Sequence, residues 1–254
     1  MLKRIAVAGS NEKARKALSK GVKKLDIQLV DVEPSYSLPD MTDALLHVGS
    51  AQDALHLAVQ QADRSEELLH LLAEAIDCRE SFKPKSSQRV VDHATRFVKA
   101  LGLDDEQRIL LERGALLRDI GKLKIPNDVL LKDGLLTYDE WTLVQQHTNI
   151  GADLVRDLPG MEGIEEIVRC HHEYFDGDGY PDKLEGEAIP YLAQMLKIID
   201  VYCAMTSPRA YRSGTSSKDD ALAHLKNERG KHFDPELVDV FLEKEIGTVV
   251  KDSE

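Results

Sequence analysis

The 254 residues contain only three cysteines, Cys78, Cys170 and Cys203, and no C-x-x-C. That excludes the disulfide framework of a small secreted domain and makes a reducing, cytoplasmic setting the expectation. No apolar run approaches the ~18–20 residues that span a bilayer, and the opening MLKRIAVAGS lacks the apolar length of a secretory leader. Positive charge is also in deficit. Lys and Arg number 33 against 45 Asp and Glu, a net charge of −12. A chain that grips DNA or RNA needs a basic face, so nucleic-acid binding is not expected, although a small anion could still sit in a local basic pocket. Hydrophobic residues at 42% are enough to build a packed core.

The first forty residues differ from the rest. Residues 3–8 (KRIAVA) and 27–32 (IQLVDV) read as strands, and Asn11 to Leu25 as a helix opened by Ser10 or Asn11. This is a βαβ unit. Gly9 follows the first strand, but there is no G-x-G-x-x-G and hence no dinucleotide fingerprint. Pro34 and Pro39 then break the chain. The expected organisation is a small βαβ unit with linker over 1–40, a helical connector over 41–64 and a helical domain over 65–254. Two strands cannot cover both faces of a sheet, so the N-terminal unit is expected to pack on the helical region or pair with a second chain as a homodimer.

From Thr42 onward the periodicity is helical. Leu68, Leu69, Leu72, Ala75 and Ile76 recur at helical spacing, as do Ile109, Leu110, Leu116, Leu117 and Ile120. Thr137-x-x-Glu140 is a capping box ahead of Trp141, Val144 and Leu154-Val155. Residues 192–205 (LAQMLKIIDVYCAM) are apolar nearly all round, which predicts a central buried helix. Asp234-Pro235 places an N-cap before a proline at the first helical position.

Four features carry chemistry: Arg118-Asp119-Ile120-Gly121-Lys122, His147 in QHTNIG, the run HHEYFDGDGYP from His171 to Pro181, and Asp200 in the apolar helix. Imidazole and carboxylate are ligands for Zn, Fe or Mn. Adjacent histidines point about 100° apart on a helix, so both reach one ion only at a helix end or irregular turn. Asp200 in an apolar helix needs an ion or an ion-pair partner. Lys122 lies one turn after Asp119, so both can face one pocket. Singly, each feature has a bland reading: His147 as a satisfied histidine, Asp200 as an ion-pair partner, DGDG as a turn.

Together, these motifs and the following DVYCAMTSPRAYR resemble the HD-GYP family, helical metal-dependent phosphodiesterases of the HD superfamily that act on cyclic di-GMP. The resemblance covers roughly Leu68 to Phe241. It implies a mainly α HD-superfamily helical bundle, with metal ligands at Asp119, His147, His171, His172 and Asp200. It also implies a catalytic role for Asp119 and Lys122, and ligand contacts from Lys122, Tyr180 and Arg209. The sequence departs from the pattern at three places. Arg89-Val90 align with the early H-x-x-R-V motif, but its His position is Ser86. A Glu found in three-metal members is Phe82, and the namesake His-Asp pair is Arg118-Asp119.

By resemblance, the ion that leans on the early His, the His of the pair and the late Asp has lost both histidines. The neighbouring ion, on Asp119, His147, His171 and His172, keeps its set. One divalent transition ion (Fe, Mn or Zn) is therefore expected. Arg118 stays protonated and cannot ligate. Turned inward it would pair with Asp200 or Asp119; turned outward it would leave Asp200 to another partner. His93 is two helical turns from Ser86, too far to replace the missing ligand. The expected function is a divergent, metal-binding HD-GYP protein that retains binding of a cyclic dinucleotide, cyclic di-GMP first, or of a partner such as a diguanylate cyclase domain, with catalysis weakened or lost. The alternative is an active phosphodiesterase on cyclic di-GMP or another phosphorylated nucleotide.

Overall fold

Helical periodicity governs the chain from residue 65 onward, and the fold is mainly α as expected. The structure, a computed structural model, describes residues 4–8, 28–32, 65–81, 86–156, 158, 160–207 and 217–247. The helix expected over 11–25, the proline linker, the connector over 41–64, Phe82 and Arg209 lie outside the described residues. Strands β1 (Arg4–Ala8) and β2 (Gln28–Val32) pair in parallel, with Arg4 opposite Gln28 and Ala8 opposite Val32.

The chain divides into two units that alternate along the sequence. One comprises Met1–Ser87 and Asp119–Glu162, the other Gln88–Arg118 and Gly163–Glu254. In the first unit, helix α1 (Ser65–Ser81) buries Leu69, Ala73 and Ile76, a stripe at i, i+4 and i+7. Near its end the Asp77 carboxylate accepts from the backbone N–H of Ser87 at 2.8 Å and from its hydroxyl at 2.9 Å. Ser87 lies in the first turn of α2 (Ser86–Leu101), so Asp77 satisfies an orphan donor and places negative charge at the positive helix end.

A 3-10 turn at Ile120–Lys124 packs on α1. It is followed by α4 (Asn127–Leu130), α5 (Tyr138–Gln145) and α6 (His147–Arg156). The Thr137–Glu140 capping box forms as expected: the Thr137 hydroxyl accepts from Glu140 N and the Glu140 carboxylate accepts from Thr137 N. The apolar pattern behind it does not make one buried helix. The helix breaks at Gln146, and Trp141 is 46% exposed while Leu154 and Val155 are buried. Ile120 likewise belongs to the 3-10 turn, not to the helix before it.

The second unit is built around α8 (Tyr191–Thr206), which packs against α3 (Asp105–Leu117), α7 (Ile164–Cys170), α9 (Lys218–Asn227) and α10 (Pro235–Glu243). Residues Ala193, Met195, Leu196, Ile198 and Ile199 of α8 are fully buried, which confirms the central position that its all-round apolarity predicts. Burying a large aliphatic side chain stabilises by roughly 1.5–3 kcal/mol. Close approach of α3 to α7 depends on Gly114, where a β-carbon would stand 2.6 Å from Ile167 Cγ2. Asp234 caps α10 by accepting from Leu237 N, with Pro235 at the first helical position. Within the unit, Phe97 of α2 meets Phe241 edge-on at 5.5 Å. His93 is a core residue here: its Nδ1 is 2.9 Å from the Ile246 carbonyl and its ring meets Tyr202 edge-on. Burial lowers its pKa, so it stays a neutral packing group.

Candidate functional site

In the first unit the site residues meet where the 3-10 turn lies against the start of α6. A β-carbon on Gly121 would stand 1.9 Å from the His147 carbonyl oxygen and 2.6 Å from Gly151 N. Only a glycine lets the turn approach that closely. Gly121 of RDIGK therefore sets the distance at which Asp119 and Lys122 face His147. Lys122 Nζ is 2.8 Å from Asp119 Oδ1, as the one-turn spacing predicts. The same Asp119 oxygen is 3.7 Å from His147 Nε2. Two ligands bonded at about 2.1 Å to one ion stand about 3–3.5 Å apart, so the pair is within a few tenths of an ångström of a shared-ion geometry.

The break at Gln146 has a use. His147, 1% exposed, turns its Nδ1 back to the Val144 carbonyl at 2.7 Å. A carbonyl only accepts, so Nδ1 carries the proton and the neutral ring presents its lone pair on Nε2. A backbone carbonyl fixing the tautomer in this way is the usual orientation of a metal-binding imidazole.

The second unit repeats the device. His171 follows α7 as its C-cap, with Nδ1 2.8 Å from the Val168 carbonyl, the same i−3 relation. The helix end also resolves the adjacent-histidine problem, since the His171 and His172 rings come within 4.1 Å, centroid to centroid. Tyr180 stacks on His172 at 4.9 Å and 21°. The loop carrying it is anchored by Glu173, 2% exposed, whose carboxylate accepts from Asp182 N at 2.7 Å and Leu184 N at 3.3 Å. Burial raises the Glu173 pKa, and these backbone donors oppose the shift. Gly179 is obligatory, because a β-carbon there would lie 2.2 Å from Tyr174 N. Arg169 braces the outer side of the loop through two bonds to Asp182.

Arg118 turns inward. Its guanidinium donates Nε to Asp200 Oδ1 at 2.8 Å and a second N–H to the Ala115 carbonyl at 2.7 Å, and the residue is 4% exposed. Of the two orientations left open by the sequence, the structure has the buried ion pair. Cys170 and Cys203 are buried, and desolvation pushes both thiols up to about 12, so neither supplies a thiolate at neutral pH.

Lys197 was passed over in the sequence. It is 6% exposed on α8, with Nζ 4.3 Å from the centroid of the Tyr174 ring. The available signal was a lone lysine in an apolar run, one turn before Asp200.

By ligand type each unit offers donors suited to a divalent transition ion: in the first, a carboxylate beside an imidazole of fixed tautomer; in the second, two adjacent imidazoles, one of fixed tautomer. Asp200 is engaged by a permanent cation. No helix among the described residues is long and apolar enough to cross a membrane.

Residues 70–237 match the family model described as HD domain. The chain is 39% identical over 182 residues to the cyclic di-GMP phosphodiesterase response regulator RpfG of Xanthomonas campestris pv. campestris, covering 71% of this chain and 48% of that protein. It is 30% identical over 201 residues to 3'3'-cGAMP-specific phosphodiesterase 2 of Vibrio cholerae, covering 78% of this chain and 38% of that protein. The chain thus spans less than half the length of these relatives. Its fold is similar to that of an HDG"Y"P protein from Bdellovibrio bacteriovorus, with a TM-score of 0.53 at 17% identity over 90% of this chain and 78% of that one.

Proposed function

Since the chain belongs to the HD-domain family, in its HD-GYP branch, we propose that it binds a cyclic dinucleotide, cyclic di-GMP first, at a centre holding one divalent ion, with hydrolysis weakened. The observation that carries this reading is the Arg118–Asp200 pair. By resemblance, that carboxylate and the His position now held by Arg118 would seat one of two ions. A guanidinium that cannot ligate lies on that carboxylate.

The ion in this proposal is held by Asp119, His147, His171 and His172, and its identity is Fe, Mn or Zn. When bound, a divalent ion supplies Lewis-acid charge and lowers the pKa of a coordinated water. The protein's own groups do the rest. The Val144 and Val168 carbonyls hold the two imidazole tautomers. Lys122 sits on Asp119 and is proposed to bring its positive charge to a phosphate oxygen. Tyr180, stacked on His172, offers a flat face to a base or sugar. Arg209 is proposed as a second phosphate contact. The exposed Asp176 and Asp178 of the GYP loop belong to the same reading as a docking face for a diguanylate cyclase domain.

A second reading, an active phosphodiesterase, is favoured by the Asp119–Lys122 contact and the oriented histidines. One experiment separates the two: metal content per chain, cyclic di-GMP binding and cyclic di-GMP hydrolysis on the same sample. The proposal expects one ion, saturable binding and turnover at least ~10² below that of a two-ion site, the cost of a few kcal/mol of lost transition-state stabilisation. Two ions per chain with full turnover would establish the second reading.

A further inference from the structure

Lys197 presents a problem that the proposed centre does not solve. It occupies the middle of α8, with Leu196, Ile198 and Ile199 fully buried around it. Among the described residues its ammonium has no hydrogen bond and no carboxylate within ion-pair distance, and it lies over the face of Tyr174. The two carboxylates that attract it from farther off, Asp200 and Glu173, are both engaged elsewhere. Asp200 receives Arg118, and Glu173 receives the backbone of Asp182 and Leu184. An aromatic face returns only part of the hydration that a buried ammonium gives up. Burial accordingly pulls the Lys197 pKa down to about 8.

A lysine only 6% exposed whose ammonium meets no anion among the described residues, in a region this rich in site residues, is a mark of ligand contact. Its setting supports that. Tyr174 follows directly on His171, His172 and Glu173, and Asp200 lies one turn along α8. We propose that the Lys197 ammonium binds a phosphate oxygen of the cyclic dinucleotide, which makes it a ligand-binding residue in the second unit. An ammonium is suited to this role as a compact point charge with three donors that can follow a phosphodiester without the planar match a guanidinium requires. The inference rests on the cyclic-dinucleotide reading above.

The test uses the full chain and the Lys197→Met variant, a near-isosteric removal of the charge. Cyclic di-GMP binding is measured by calorimetry at pH 7, before and after treatment with a chelator. The expected result is a loss of about tenfold to a hundredfold in affinity for Lys197→Met in both states, the effect of losing one charge-assisted hydrogen bond. In lysine-labelled protein, the ¹³Cε resonance that the variant lacks should shift saturably as cyclic di-GMP is added. Unchanged affinity in the variant, or an unmoved Lys197 resonance while wild type binds, overturns the inference. If wild type binds no cyclic di-GMP, the cyclic-dinucleotide reading has failed, and inorganic phosphate becomes the probe. A saturable Lys197 shift with phosphate, absent with chloride at equal ionic strength, then keeps the oxyanion contact. No shift with phosphate rejects it.

Discussion

Replacing Lys197 by methionine should make the ligand-free protein more stable, and the amount can be worked from its surroundings. Burial moves the ammonium from the ordinary 10.5 to about 8. At 1.36 kcal/mol per pKa unit, keeping it protonated in the fold at pH 7 costs about 3 kcal/mol. Methionine has a similar volume and no charge to desolvate, but it gives up the cation–π contact with Tyr174, worth about 1 kcal/mol. The net gain expected at pH 7 is about 2 kcal/mol, or a melting temperature raised by roughly 4–8 °C for a chain of this size. The sign of the pH dependence follows from the lowered pKa. Between about 8 and 10.5 the unfolded chain holds a proton that the folded chain has released, so wild-type stability rises with pH across that window. The advantage of the variant should therefore shrink from pH 8 upward and vanish near 10.5. Denaturant melts of both proteins at pH 7, 9 and 10.5 read this directly. A variant that is less stable than wild type at pH 7, or whose advantage grows with pH, would refute the reasoning and make Lys197 a structural cation.

Three further perturbations test the rest of the site. Gly121→Ala puts a β-carbon 1.9 Å from the His147 carbonyl, a backbone atom that cannot swing aside; it should cost about 3 kcal/mol or more and abolish metal uptake, read by melting and by metal content. Glu173→Ala strips the acceptor from the Asp182 and Leu184 amides in a buried place and should cost about 2–4 kcal/mol, whereas Arg169→Ala, whose side chain is 32% exposed, should cost no more than about 1; equal costs in denaturant melts would show that the outer brace, not the buried carboxylate, holds the loop. Ser86→His with Arg118→His should raise metal content from one ion toward two per chain, with Arg118→His the more effective single change, because its charge opposes a divalent ion by up to roughly 8 kcal/mol at ~4 Å and an effective dielectric of 20. A double variant that folds and still takes one ion would remove Arg118 as the obstacle.

What could be read in the sequence was local chemistry. The Thr137–Glu140 box and the Asp234-Pro235 start form as written, because a cap is decided by four consecutive residues. The burial of α8 was legible from its composition alone. Contacts between distant segments were not. Nothing in RDIGK shows that Gly121 must clear the His147 carbonyl, since the partner is 26 residues away. The exposure of Trp141 and the break at Gln146 were missed for the same reason: apolar spacing continued, but the second segment is redirected so that His147 can reach the Val144 carbonyl. The direction of Arg118 was open because it depends on Asp200, 82 residues further on. Lys197 was legible only as an oddity, one charge in an apolar run, and its meaning needed the positions of Tyr174, Glu173 and Asp200.

These placements bear on why binding and chemistry can separate in one fold. Asp200 has Arg118 at 2.8 Å and feels Lys197 one turn back on its own helix. Two fixed monovalent cations carry the same formal charge as one divalent ion and, like it, attract a phosphodiester. They differ in what they do to water. A divalent ion draws a water's pKa toward neutrality and so prepares a nucleophile, while a guanidinium or an ammonium donates hydrogen bonds and leaves that pKa nearly where it was. Exchanging an ion for side-chain cations therefore keeps the electrostatic part of ligand recognition and removes a source of hydroxide. If the chain holds one ion as proposed, its ligand affinity should survive chelation better than that of a two-ion relative, because half of the attracting charge would be covalently part of the chain. If chelation abolishes cyclic di-GMP binding as completely here as in a two-ion relative, Arg118 and Lys197 are not substituting for the ion's charge.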